Sequence, residues 1–169
     1  MECVRGTLVA AALLWLCGCA NVIDSPENRE QDARLASADS TVAAVIITDM
    51  PAESIQQDPF RLDSVSISGD TLLLRLSYSG GCQPHAFQLY MTPSAFLESF
   101  PVQADLFVRH QGHGDACEAY LSRELGFDLR PIAELYRRLY GSRGEILLNV
   151  FDFFEGTPGE HLQVRYLLK

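Results

Sequence analysis

The stretch RLDSVSISGDTLLLRLSYSGGCQPH, residues 61–85, carries the clearest structural pattern in the chain. Leu72, Leu74 and Leu76 occupy every second position, which is typical of a strand that buries one of its faces. The Ser-Gly-Asp sequence just before them is suited to a tight turn. The pattern therefore predicts a hairpin of residues 65–68 and 71–78, with the GGCQPH motif directly after its second strand.

Other segments extend this prediction along the chain. Strand-like alternation or short apolar runs occur at 42–48, 85–91, 102–110, 145–154 and 162–168. The segment RPIAELYRRLYG, residues 130–141, instead has apolar residues at helical spacing, with a proline near its start and a glycine at its end. The predicted fold is mainly β, an antiparallel sandwich or small barrel of about seven strands with one amphipathic helix. An α+β open sheet with one helix is the alternative.

The first residues, MECVRGTLVAAALLWLCGCAN, have the organisation of a secretory signal peptide. One cation, Arg5, precedes an apolar run that ends at Leu16, and small residues follow. The run is shorter than the roughly 20 apolar residues that a membrane-spanning helix needs. We therefore expect residues 1–18 to be removed from an exported protein.

The residues Leu16-Cys17-Gly18-Cys19 resemble the lipobox of bacterial lipoproteins. The resemblance implies that Cys19 is lipidated and becomes the first residue of the mature chain. Ala20 follows where an aspartate would imply retention in the inner membrane, which favours an outer-membrane lipoprotein facing the periplasm. The alternative is an ordinary cleaved leader whose Cys19 pairs with another cysteine.

Composition limits the partners of the mature protein. Residues 19–40 are polar and lack an apolar period, so we predict a lipidated N-terminus and flexible tether, followed by one globular β-rich domain at 41–169. The formal net charge of −9 disfavours nucleic acid and anionic lipid headgroups as partners. The expected membrane contact is therefore the N-terminal lipid. A protein partner in the envelope remains open.

The five cysteines divide into two groups. Cys3 and Cys17 leave with the leader and Cys19 is acylated, so only Cys82 and Cys117 remain in the domain. Two thiols in a small exported domain usually form a disulfide. The alternative is a zinc site of Cys82, His85, His110 and Cys117, because tetrahedral Cys₂His₂ ligation suits that metal.

A third possibility keeps the disulfide and uses the polar residues beside it. We expect His85, His110, Asp115 and Glu118 to form a binding or hydrogen-bonding network at the end of the sheet. A histidine with an acidic partner, such as His110 with Asp115, could also act as a general base in a hydrolase. The sequence has no G-x-S-x-G motif and no phosphate-binding glycine loop, so no enzyme and no catalytic residue is predicted.

The pair of motifs GGCQPH and DACEAYLSRELGFDL resembles a group of uncharacterised bacterial lipoproteins or secreted proteins with GGC-x-x-H and D-x-CEA patterns. The residues that carry this resemblance are Gly80, Gly81, Cys82, His85, Asp115, Cys117, Glu118 and Ala119. The resemblance implies no known activity. The sequence therefore favours a non-enzymatic binding or structural module without a cofactor, with a metal-binding lipoprotein and a hydrolase as alternatives.

Overall fold

The computed structural model of the chain describes residues 42–154 and 160–169. The predicted leader, lipidation site and tether lie outside these residues. The described elements, in chain order, are β1 (Ala43–Ala44), β2 (Ile46–Ile47), α1 (Ala52–Ile55), β3 (Arg61–Ser68), β4 (Thr71–Gly80), β5 (Ala86–Met91), β6 (Val102–Gln111), β7 (Ala119–Asp128), α2 (Arg130–Tyr140), β8 (Gly144–Phe151) and β9 (His161–Leu168).

The strands form two sheets that share one core. The first sheet has the order β1-β7-β4-β3, and the second has the order β2-β5-β6-β8-β9. Leu72, Leu74 and Leu76 are almost completely buried in a cluster to which both sheets contribute. This confirms a mainly β fold and the predicted inner face of β4. Among the described strands neither sheet closes into a barrel, so the sandwich is the correct form of the prediction.

The predicted hairpin is present and longer than expected. Strands β3 and β4 pair antiparallel up to Ser68 opposite Thr71, and Gly69 in the turn has a φ of +61°. Only glycine adopts such a φ without steric cost, which explains the Ser-Gly-Asp turn. A register shift between Leu62 and Ser64 interrupts the pairing near its other end.

The predicted topology differs from the structure in four features. The segment 42–48 is not one strand but two short ones, each pairing with a different sheet. Strand β7 was missed because the polar residues Ser122, Arg123 and Glu124 interrupt its apolar side chains, and helix α1 has only four residues. The sheets are mixed rather than antiparallel. The chain leaves the second sheet after β6, forms β7 in the first and returns through α2, so β8 runs parallel to β6.

Helix α2 is confirmed, but only part of its apolar stripe is buried. Ile132 and Ala133 are buried and Tyr136 is partly buried, whereas Leu139 is 55% exposed and Tyr140 is 49% exposed. The last turn therefore leaves apolar side chains on the surface. Neither α1 nor α2 is long and apolar enough to cross a membrane.

Two loops meet at one end of the sandwich. The loop 81–85 carries the chain from β4 in the first sheet to β5 in the second, and the loop 112–118 carries it back from β6 to β7. Gly80 pairs with Ala119 and Ala86 pairs with Gln111, so both loops start and finish beside each other. This register brings the two sequence motifs together.

Candidate functional site

The disulfide between Cys82 and Cys117 joins the two loops, as the cysteine count predicts. The Cα atoms of the two residues are 5.9 Å apart, an ordinary separation for such a bond. Cys82 is exposed and Cys117 is half-buried. The bond therefore fixes the loops at the surface, directly above the polar cluster described next.

Asp115 organises the loop 81–85 through its carboxylate. Its Oδ2 accepts hydrogen bonds from the backbone N–H groups of Gly81 at 2.8 Å and of Cys82 and Gln83 at 2.9 Å each. Its Oδ1 accepts a further bond from the N–H of Cys117 at 2.9 Å. Hydrogen bonds from the backbone N–H groups of Cys117 and Gln83, and from the His85 side chain, hold the pKa of the Asp115 carboxyl well below its usual range. Asp115 is therefore a carboxylate near neutral pH.

Two histidines continue the network into the core. His85 Nε2 lies 3.1 Å from Asp115 Oδ2, and His85 Nδ1 lies 2.7 Å from His110 Nε2. His110 Nδ1 lies 3.1 Å from the carbonyl oxygen of Pro59. The side chains of His85 and Asp115 are only 4% and 1% exposed, and His110 is buried. A continuous chain of hydrogen bonds thus runs from the surface loop to Pro59.

The partners of these nitrogens determine where the protons are. The Pro59 carbonyl and the Asp115 carboxylate only accept, so His110 Nδ1 and His85 Nε2 both donate. One further proton must lie between the two rings. The pair therefore has three protons on four nitrogens, which gives it one positive charge. Burial lowers the pKa of His110, which disfavours a positive charge on that ring.

Aromatic rings and glycines enclose the histidine pair. Phe87 stacks on His110 with ring centroids 4.6 Å apart, and the Tyr78 ring lies 4.7 Å from the His85 ring. A Cβ atom at Gly80 would lie 2.5 Å from His85 Nε2, and one at Gly112 would lie 3.1 Å from His85 Cε1. The first glycine of GGC-x-x-H is therefore required because the His85 ring occupies the space of its side chain.

A pocket of about 260 Å³ opens beside the cluster. His85, His110 and Asp115 all border it, together with Asp58 and Ser79. The predicted direct pair of His110 and Asp115 does not occur, since His110 reaches the carboxylate only through His85. Glu118 is exposed and has no hydrogen bond to the cluster within the described residues.

The four residues of the predicted zinc alternative are not arranged around a common point. The two sulfurs are bonded to each other, so neither is the thiolate that zinc requires. The facing nitrogens of His85 and His110 bind one another. In the described part of the chain, the ligand atoms of Cys82, Asp115 and Cys117 lie within 4.8 Å of one another, without a histidine.

Several residues of the site were not predicted from the sequence. Tyr78 and Phe87 lie on strands that the sequence predicts. Because His85 and Phe87 are two residues apart, strand alternation could have placed these two side chains on one face. Pro59 and Asp58 gave no signal. Asp58 Oδ2 accepts the N–H of Gly112 at 2.6 Å, and the Asp58 N–H donates to the His110 carbonyl at 3.1 Å. Their role depends on tertiary packing alone.

Acid is expected to destabilise the domain in two stages. The lowered pKa of His110 means that the unfolded chain binds more protons below pH about 6.5, the ordinary histidine value, so stability falls as pH drops from there. The lowered pKa of Asp115 extends the loss below pH about 4. In the first stage, just below pH about 6.5, the free energy of unfolding should fall by at most about 1.4 kcal/mol for each unit of pH. Urea unfolding across this pH range measures it.

A matched pair of variants identifies the source of the upper stage. His110→Gln should remove most of the slope between pH 6.5 and 5, whereas His113→Gln, at an exposed position, should keep it. An unchanged slope in His110→Gln would show that another group causes the acid sensitivity.

Comparison with known proteins identifies relatives of the fold. A NigD-like immunity protein from Bacteroides caccae has a TM-score of 0.50 and 17% identity, with coverage of 75% of this chain and 64% of its own. A candidate toxin-related protein from Parabacteroides distasonis has a TM-score of 0.50 and 20% identity, with coverage of 74% and 61%. A candidate lipoprotein from Bacteroides fragilis has a TM-score of 0.47 and 14% identity, with coverage of 75% and 70%.

The chain spans less than two thirds of the length of the first two of these proteins. No family model matches the chain, and no curated protein does. At these identities the likeness concerns the fold alone: the sandwich of this chain is shared with solved proteins from Bacteroides and Parabacteroides.

Proposed function

We propose that the protein is an envelope lipoprotein, anchored through Cys19, whose β domain is a non-enzymatic binding or structural module. Its expected location is the outer membrane, facing the periplasm. The disulfide is the observation that carries this proposal. Cys82 and Cys117 are the two cysteines that remain after removal of the leader and acylation of Cys19, and they are bonded to each other. Such bonds persist in oxidising compartments.

The polar cluster supports a structural role for its histidines. Each ring nitrogen of His85 and His110 has a partner within the protein, as do both oxygens of Asp115. A general base needs a free lone pair near its substrate. Neither histidine has a free one, because every ring nitrogen of the pair is engaged in a hydrogen bond within the cluster. The network therefore favours loop fixation over hydrolysis.

The anchor is tested by two cysteine variants of the full chain expressed in a Gram-negative host with a clickable fatty acid. Cys19→Ser should lose the label and leave the membrane fraction, because several acyl chains on one residue provide firm anchoring. Cys17→Ser, two residues earlier in the leader, is the matched control and should remain labelled. Density-gradient separation of the two membranes then tests the outer-membrane location.

Two results would contradict this proposal. One is equal labelling of the Cys19→Ser chain, which would place the lipid elsewhere. The other is an unlabelled wild-type chain recovered in the soluble fraction.

A further inference from the structure

A second concave surface lies away from the disulfide, where α2 ends and β8 begins. This aromatic groove has a volume of about 690 Å³, and its lining includes Phe100, Tyr136, Tyr140, Arg143, Glu145 and Leu167. The volume is within the range of small-molecule sites in proteins, about 300–1,000 Å³. It is also larger than the 260 Å³ pocket beside the histidines.

Apolar side chains on the groove are exposed together. Phe100 is fully exposed, Leu167 is 57% exposed and Tyr140 is 49% exposed. Tyr136 and Tyr140 lie with ring centroids 5.1 Å apart, and the Phe96 ring packs against both from below. Single exposed apolar residues are ordinary, but a grouped set that lines a concavity marks a binding surface.

The charges of the groove do not cancel. Glu145 is paired with Arg165, whose Nε lies 2.9 Å from Glu145 Oε1 at an angle unsuited to a hydrogen bond, so the contact is an ion pair. Arg143 is exposed and has no hydrogen bond or ion pair with any described residue. The groove therefore presents one positive charge that has no partner among residues 42–154 and 160–169, in a chain whose formal net charge is −9.

We propose that the aromatic groove binds a small amphipathic carboxylate, with its apolar body on Phe100, Tyr140 and Leu167 and its carboxylate on Arg143. An arginine fork pairs with a carboxylate through two parallel hydrogen bonds, and the surrounding rings exclude water from the apolar body. A neutral apolar ligand would leave Arg143 unpaired. An anion without an apolar body would leave the rings exposed.

This inference rests on the binding role proposed above, but it does not depend on the lipid anchor. The described sheets, helices and core lie within residues 42–169, so the mature chain from Ala20, exported behind an ordinary cleaved leader, contains the whole described fold. Loss of the Cys19 label with intact ligand binding would remove the anchor alone. Labelled protein without ligand binding would remove the groove alone.

The test uses 11-(dansylamino)undecanoic acid, whose fluorescence rises in an apolar site, and its methyl ester. The mature chain should bind the acid, and the ester should bind about tenfold or more weakly because it lacks the charge. Arg143→Gln should weaken binding of the acid by a similar factor and leave the ester unchanged. Tyr140→Ala should weaken both.

Matched controls lie on the same protein outside the groove. Arg138→Gln removes an exposed arginine of α2, and Tyr120→Ala removes an exposed ring of β7, so neither should alter binding. Circular dichroism of each variant confirms that it is folded. The proposal would be overturned if the wild type did not bind the acid. It would also be overturned if Arg143→Gln and Tyr140→Ala both bound the acid as strongly as the wild type does.

Discussion

Replacing both Cys82 and Cys117 with serine is expected to lower the free energy of unfolding by about 4 kcal/mol. The bond joins residues 35 positions apart, and closing a loop of that length removes conformational entropy mainly from the unfolded chain. The disulfide also helps to keep the backbone N–H groups of residues 81–83 aligned on Asp115, and the double variant loses this restraint. Urea unfolding of the oxidised wild type and the double variant measures the difference.

The thiol reductant dithiothreitol supplies the control for this prediction. It should lower the stability of the wild type towards that of the double variant and should leave the double variant unchanged. A loss below about 1 kcal/mol would show that the disulfide contributes little and that the Asp115 network holds the loops by itself.

Gly80→Ala is expected to cost about 3 kcal/mol, at the upper end of the range for overpacking a closed site. The new Cβ atom would lie 2.5 Å from His85 Nε2 and 3.1 Å from Asp115 Oδ2. The His85 ring is held in place, because it packs against Tyr78 and its Nδ1 is hydrogen-bonded to His110, so moving it breaks these contacts. The substitution must therefore break the contact of His85 with Asp115 or displace a strand.

Gly69→Ala separates steric conflict from backbone strain. Gly69 also has a positive φ, but nothing lies within 4 Å of the position that its Cβ atom would occupy. It should cost only about 1 kcal/mol. Equal losses in the two variants would mean that the contact with His85 is not the cause.

The sequence was most informative where a single period dominates. The alternating leucines of β4 and the apolar spacing of α2 predicted both elements nearly to their ends. Strand β7 was missed because Ser122, Arg123 and Glu124 follow Leu121, and its pairing with β4 depends on residues distant in sequence. The parallel pairing of β6 and β8 could not be predicted, since it follows from the crossover through the first sheet.

The site shows the same division. The disulfide could be predicted by counting cysteines, and the meeting of His85, His110 and Asp115 could be anticipated from their positions at strand ends. The sequence does not show which of the two histidines contacts Asp115, because this depends on the close approach of Gly80 to the His85 ring. The Pro59 carbonyl is equally invisible in the sequence, yet it fixes the proton on His110 Nδ1.

The groove at the end of α2 was hidden for a related reason. Helical spacing predicts that Leu139 faces the core, but the structure leaves it and Tyr140 on the surface. Periodicity identifies the apolar stripe of a helix and not the length over which a sheet covers it. The exposure of the last turn of α2 can therefore be recognised only from the structure.

The most direct test of the account is ¹⁵N nuclear magnetic resonance of the histidine rings in the oxidised protein near neutral pH. The closed network predicts three protonated nitrogens and one bare nitrogen across His85 and His110, with no change on adding one equivalent of Zn²⁺. Only two protonated nitrogens in the pair, or zinc-induced shifts of both rings, would contradict a structural role for the cluster.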